Sequence, residues 1–415
     1  MNSRSLAVLA ALALAPAATF AQEVPASSPA AAPAAAAPAP SRDLASDVDT
    51  VGGKVDALAE KLAEIEATVG GLKKLKLSGY VQGRYGHGEK GSYYAIYDKD
   101  GYKDLDREGF YVRRGRLKAT YDAGDAEAVI QLDATGSGVS LKEAYARLKL
   151  PFNLTIDAGQ LGIPFGYEVG IVSSANLDVL ERSSIVRKLL AGEYDRGVAV
   201  GWKYGKLSAK AGLFNGNGVD GWTKDNDALK DVIGRVGYDF GIVNVGLSGW
   251  LGKLRVYEYQ DLKAGVTSLA PGDYDRNRIG ADVQTYLDLL PIGGTSLKAE
   301  YLQGETIIDK TDTADALKSL KTGIPQMGWY VSVVQSIGES DAVAVRYDYH
   351  DENTDAKDGD ANAKATGTVA IAYHHYFGGN FKASALYEIP RQLKGKDGFE
   401  DPKDNALTLQ LQASF

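Results

Sequence analysis

The sequence predicts an all-β chain: a 16-stranded antiparallel transmembrane β-barrel with an N-terminal helical coiled-coil segment. Three observations carry this expectation. From Lys74 onward, apolar residues recur at every second position. The connections between these segments alternate between short and long. In residues 406–415, Leu407, Leu409, Leu411, Ala413 and Phe415 share one parity, while Thr408, Gln410, Gln412 and Ser414 share the other. Side chains along a strand alternate faces, so that run has one oily and one polar side. Its length is about the ~9–11 residues that a tilted strand needs to cross a bilayer.

Taken in order, Arg4 precedes an apolar run over residues 6–15, and Thr19-Phe20-Ala21 places small residues where a signal peptidase reads. Residues 1–21 therefore read as a signal peptide. Residues 22–43 are rich in Ala and Pro and read as an extended linker. Residues 44–73 differ: Leu44, Val48, Val51, Val55, Leu58, Leu62, Ile65, Val69 and Leu72 recur at steps of four and three, an a/d seam. Lys61 at a g position and Glu66 at the following e position suit pairing between parallel chains. Gly52-Gly53 and Gly70-Gly71 weaken the helix by roughly 1 kcal/mol each, so it calls for partner copies.

Residues 74–415 form the barrel domain. Segments of period two fall at 75–85, 110–121, 126–134, 141–150, 154–161, 198–204, 207–214 and 232–238, then at 243–251, 278–287, 297–303, 327–335, 342–349, 365–373, 381–389 and 406–415. An even number of strands, with short turns on one rim and long loops on the other, is the plan of an outer-membrane barrel. Tyr85, Tyr121, Trp202, Tyr204, Tyr238, Trp250, Trp329, Tyr373 and Tyr387 lie near segment ends, as interfacial girdles require. Residues 110–118 break the alternation, and a bulge near Arg114-Gly115 restores it.

If the apolar parity meets lipid, the other lines the interior. That set holds Arg84, Arg114, Arg116, Lys118, Arg147, Lys203, Arg235, Arg278 and Lys298, which are the candidate pore-lining anion-binding residues. A basic lumen concentrates anions, because low-dielectric walls focus the field. The longest connection, residues 162–197, mixes apolar stretches with charge. Folded into the barrel it places Arg182, Arg187 and Lys188 at a constriction.

The chain carries 46 Lys and Arg, 54 Asp and Glu, and no Cys, for a formal charge of −8. That balance argues against a nucleic-acid partner, and the missing cysteines exclude disulfides and thiolate metal sites. Gly216-Asn217-Gly218-Val219-Asp220-Gly221 fits a nucleotide-loop pattern, but no helical period follows it. Residues 351–362 begin like a calcium loop, yet Ala356 replaces its glycine and Asn362 its bidentate acid. No catalytic residue, metal or cofactor is expected.

Leu77-Ser78-Gly79-Tyr80-Val81-Gln82, Arg113 to Lys118 and Gly159 to Gly166 resemble the phosphate-selective porin O and P family. So do Leu180-Glu181-Arg182-Ser183, Asp195-Arg196-Gly197-Val198, Phe214-Asn215-Gly216 and Gly234-Arg235-Val236. The resemblance implies a sixteen-stranded trimeric porin with an inward third loop, arginines along the lumen, and uptake of anions, often phosphate. It assigns Arg114, Arg116, Arg182 and Arg235 as pore cations. Gly162 stands where many members have a Lys, a departure that bears on phosphate and not on the architecture.

The expectation is an outer-membrane porin of a Gram-negative bacterium, surrounded by lipid, assembled as a homotrimer, and passing small anions, phosphate or polyphosphate among them. The competing reading is a structural tether joining the membrane to peptidoglycan through the coiled coil.

Overall fold

The structure is a computed structural model and describes residues 44–89, 107–190, 192–216, 218–219, 228–256, 260–261, 266–267, 272–306, 324–360, 362–378, 380–402 and 404–415. The expected signal peptide and linker lie outside the described residues. So do much of the loops around residues 90–106, 220–227 and 307–323.

Helix α1 (Leu44–Leu72) carries the heptad stretch as one helix of 29 residues. Its seam residues Val51, Val55, Leu58, Leu62 and Ile65 are all more than half exposed. No helix among the described residues is long and apolar enough to cross a membrane.

The barrel strands are β1 (Leu75–Gly88), β2 (Arg107–Asp122), β3 (Ala126–Thr135), β4 (Gly138–Leu150), β5 (Leu154–Gly162), β6 (Tyr194–Tyr204), β7 (Leu207–Phe214), β8 (Asp231–Asp239) and β9 (Val243–Leu251). A two-residue or four-residue strand recurs four times in the next loop, as β10 (Lys253–Val256), β11 (Gln260–Asp261), β12 (Val266–Thr267) and β13 (Gly272–Asp275). The wall resumes with β14 (Arg278–Leu290), β15 (Gly293–Thr306), β16 (Ile324–Ile337), β17 (Asp341–Asp351), β18 (Ala365–Tyr376), β19 (Phe381–Lys394) and β20 (Ala406–Ser414). Sixteen of these strands, β1–β9 and β14–β20, form one closed antiparallel barrel. β1 pairs with β20 across the seam, so no edge is left unpaired.

The exposure pattern is the reverse of a water-soluble core. On β20, Leu409 and Leu411 are exposed while Thr408, Gln410 and Gln412 are buried. The same inversion holds on β1, where Val81 is exposed and Gln82 and Arg84 are buried. Apolar side chains outside and polar ones inside suit a wall with lipid around it and water within.

The expected bulge is present one residue early. Gln82 pairs with Arg114 but Gly83 pairs with Val112, so Arg113 is the extra residue of β2. The additional residue lets Arg113 and Arg114, adjacent in sequence, both point inward.

One region departs from the polar interior. Leu161, Phe165, Ile185 and Leu189 pack against Phe214, Ile233, Trp250 and Leu302 from β7, β8, β9 and β15. Ile185 and Leu189 belong to the short helix α2 (Ser184–Leu189). A second cluster packs Val179 and Leu180 on Ala344, Ala370, Ala372 and Leu386. Each large apolar side chain buried this way contributes about 1.5–3 kcal/mol. The apolar residues of this long connection therefore pack on the barrel's inner face.

Candidate functional site

The described residues between β5 and β6, 163–190 and 192–193, lie within the barrel and are held there by polar contacts with inward-facing side chains. Tyr80 on β1 shares a 2.7 Å hydrogen bond with Ser174. Arg84 pairs with Glu181 and donates to the Leu180 carbonyl at 2.8 Å. Arg113 donates to both oxygens of Glu181, at 2.8 and 3.1 Å. From β15, Lys298 reaches Asp178 at 2.5 Å. From β17, Arg346 donates to the Glu168 carboxylate at 3.2 Å and to the Glu181 carbonyl at 2.8 Å. From β19 and β20, Lys382 and Gln412 both donate to the Ala175 carbonyl.

The turn that admits the segment is built around Glu300. Its carboxylate accepts the amides of Tyr167 at 2.6 Å and Glu168 at 3.2 Å. Gly166 sits at φ +67, and a β-carbon there would collide with that carboxylate. Only glycine adopts this backbone without strain and leaves the space.

Burial opposes ionisation of Glu181, but the Arg84 and Arg113 guanidinia outweigh it and hold its carboxyl well below the ordinary carboxylate range. Glu193 is half-buried, and Arg182, 2.7 Å away, brings it down to about 2. Both stay charged at neutral pH.

The polar anchors come from β1 and β15–β20 together with Arg113 of β2, and the apolar ones include β7, β8 and β9. Between the segment and the wall of β2–β8 lies a cavity of about 440 Å³. Its lining includes Arg116, Lys118, Arg147, Arg182, Lys210 and Arg235, and only two acids, Glu143 and Glu193. The basic groups are not without counter-ions. Arg116 pairs with Asp133, Lys118 with Glu143, Arg235 with Asp282, and both Arg147 and Lys210 with Asp157. The asymmetry is in exposure. The side chain of Asp157 is 1% exposed while those of Arg147 and Lys210 are 28% and 32% exposed. At this pair of cations the charge meets the water and the shared carboxylate lies behind it, whereas Arg116 and Arg182 are themselves buried.

Of the residues expected to line a pore, Arg116, Lys118, Arg147, Arg182 and Arg235 come together at this cavity. Arg84 and Lys298 instead lie under residues 163–193 as anchors. Arg114 is buried and donates to Gln82 at 3.3 Å. Arg278 stacks over the Trp250 ring at 4.2 Å, and Lys203 is exposed at the end of β6. Arg187 lines a smaller cavity with Arg113, Arg114 and Glu181, and Lys188 is exposed on α2 outside the larger cavity.

Sequence reasoning did not single out Arg113 or Arg346 as site residues. The signal for Arg346 was present, since Arg346 and Asp348 share the polar parity of β17 and sit 3.2 Å apart. Gly162 lines the cavity, and a β-carbon there would meet only the Glu193 carbonyl oxygen, at 3.8 Å. Among the described residues, no group of three or more His, Cys, Asp or Glu is placed to hold a metal ion.

The closed barrel is shared with known outer-membrane channels. An anion-selective porin from Comamonas acidovorans superimposes with a TM-score of 0.55 at 16% identity, over 82% of this chain and 99% of that one. OprB of Pseudomonas putida gives 0.59 at 12% identity, over 83% and 94%. OmpT of Vibrio cholerae, solved as a trimer, gives 0.55 at 14%, over 82% and 99%. At these identities the likeness is one of fold. No curated protein matches the chain in sequence. The family model of phosphate-selective porin O and P matches residues 78–231, from β1 to the start of β8. The closed sheet, its oily exterior and this match identify the chain as a porin-type barrel of the Gram-negative outer membrane, in which residues 78–231 match the phosphate-selective porin O and P model.

Proposed function

We propose that the protein passes small anions by diffusion between residues 163–193, which narrow the lumen, and the wall of β2–β8. The observation that carries this reading is the exposure asymmetry around Asp157. Arg147 and Lys210 present their charge to the passage while Asp157 is buried behind both. A cationic face in a low-dielectric channel raises the local anion concentration. Because nearly every cation has a carboxylate partner, the preference is moderate, and phosphate is one permeant among several. Arg116, Lys118, Arg147, Arg182 and Arg235 act as the pore cations, while Arg84 and Lys298 act by holding the inner segment in place.

The exposed apolar seam of α1 supports assembly of parallel copies through a coiled coil, in keeping with a trimeric porin. The signal peptide over residues 1–21 and the linker over residues 22–43 complete the proposed export and spacing of the barrel. A tether to peptidoglycan finds no support in the described residues.

The test is the reversal potential in planar bilayers under a potassium chloride gradient, repeated with potassium phosphate. Anion-over-cation permeability is expected, and Lys118→Glu lowers it. Cation selectivity of the unmodified protein would overturn the proposal.

A further inference from the structure

We infer that the 440 Å³ cavity is a transit site for organic anions with an apolar body, aromatic carboxylates above all, and not chiefly for bare oxyanions. This deepens the anion-channel reading and rests on it. The cavity has two unlike walls. The barrel side presents Lys118, Arg147 and Lys210. The opposite side is formed by residues 169–172 of the inner segment, where Val169, Ile171 and Val172 line the space.

Ile171 is 58% exposed there. Its amide donates to the Tyr167 carbonyl at 3.1 Å, so the side chain is carried on an ordered turn. Outside the two apolar clusters under the inner segment, interior positions on the wall are largely Gln, Ser, Thr or charged. An exposed isoleucine lowers no energy in a passage for water and phosphate alone; it does so where an apolar surface comes to rest on it.

The polar wall has flat elements as well. The Arg147 guanidinium lies 5.5 Å from the Tyr145 ring centroid, and that of Arg116 5.8 Å from that of Tyr194. A benzoate-like anion engages both walls at once, its carboxylate on the cations and its ring against Ile171. Phosphate or acetate uses only one.

The experiment uses the full chain in planar bilayers, with benzoate, acetate and phosphate each added as blockers of the chloride current. Benzoate is expected to block at several-fold lower concentration than acetate or phosphate. Ile171→Asn raises the half-blocking concentration of benzoate by roughly five-fold, the effect of losing part of one isoleucine contact. It leaves the acetate value and the reversal potential in potassium chloride unchanged. Ile171→Ala, the milder variant, shifts benzoate in the same direction by less, and carries the comparison if Ile171→Asn forms no channels. Equal block by benzoate and acetate, or an unchanged benzoate value in both variants, overturns the inference while leaving the anion channel intact. A cation-selective unmodified protein removes the channel reading itself.

Discussion

Glu181→Gln tests whether the inner segment is held by charge. The carboxylate is 3% exposed and faces two guanidinia, Arg84 and Arg113, the second at 2.8 and 3.1 Å. At the effective dielectric of such sites, opposite charges ~4 Å apart attract by about 4 kcal/mol before desolvation is counted. Neutralising Glu181 leaves the Arg84 side chain, at 0% exposure, without its counter-ion. Breaking one side of a buried pair costs about 3–5 kcal/mol. Arg84 keeps its bonds to Leu180 and Gln410, which places the loss at the lower end. A change of about 3 kcal/mol raises the detached population of the segment roughly a hundred-fold. Single-channel recording reads this as added open-channel noise and brief steps of higher conductance. Glu143→Gln, which removes the partner of Lys118 and, among the described residues, makes no contact with the inner segment's anchors, serves as the control and stays quiet. A Glu181→Gln channel as quiet as the unmodified one would refute the argument that this ion pair fastens the segment.

Three further outcomes are expected. Asp157→Asn removes the carboxylate shared by Arg147 and Lys210, and one such charge seen at ~8 Å through water is about 0.5 kcal/mol, so the anion-to-cation permeability ratio rises roughly two-fold in reversal-potential measurements. Gly162→Lys adds a cation to the cavity at a position open to a side chain, and is expected to strengthen phosphate block of the chloride current, again by roughly two-fold. Glu181 and Glu193 have folded-state values depressed below their unfolded ones, so their contribution is fully present above an unfolded value of about 4.3 and is lost as pH falls through the folded value. Conductance noise should therefore hold steady from neutral pH to about 4.3, and rise below that as Glu193 titrates toward about 2.

The fold was legible because a membrane wall makes each strand two-faced. Leu409 and Gln410 are neighbours in sequence and opposites in environment, and that alternation is written in residue type alone. Strand ends were less legible. β6 begins at Tyr194, where the adjacent charged residues Asp195 and Arg196 obscure the alternation. The inward position of residues 163–193 could be read from isoleucines and leucines with no lipid to face. Which acid meets which base could not. Arg84 and Glu181 are 97 residues apart, and Lys298 and Asp178 are 120 apart. Parity says that a lysine points inward; it does not say whether water or a carboxylate waits there. This is why Arg84 and Lys298 read as pore cations and emerge as fasteners, and why Arg346 passed unremarked.

The seam between β1 and β20 brings Gln82 within 2.8 Å of Gln412, 330 positions later. No half of the cylinder is thus complete by itself. Until its farthest-separated hairpins meet, each intermediate offers two open hydrogen-bonding margins to whatever sheet lies near. A break introduced midway would yield two sticky ribbons in place of a smaller channel.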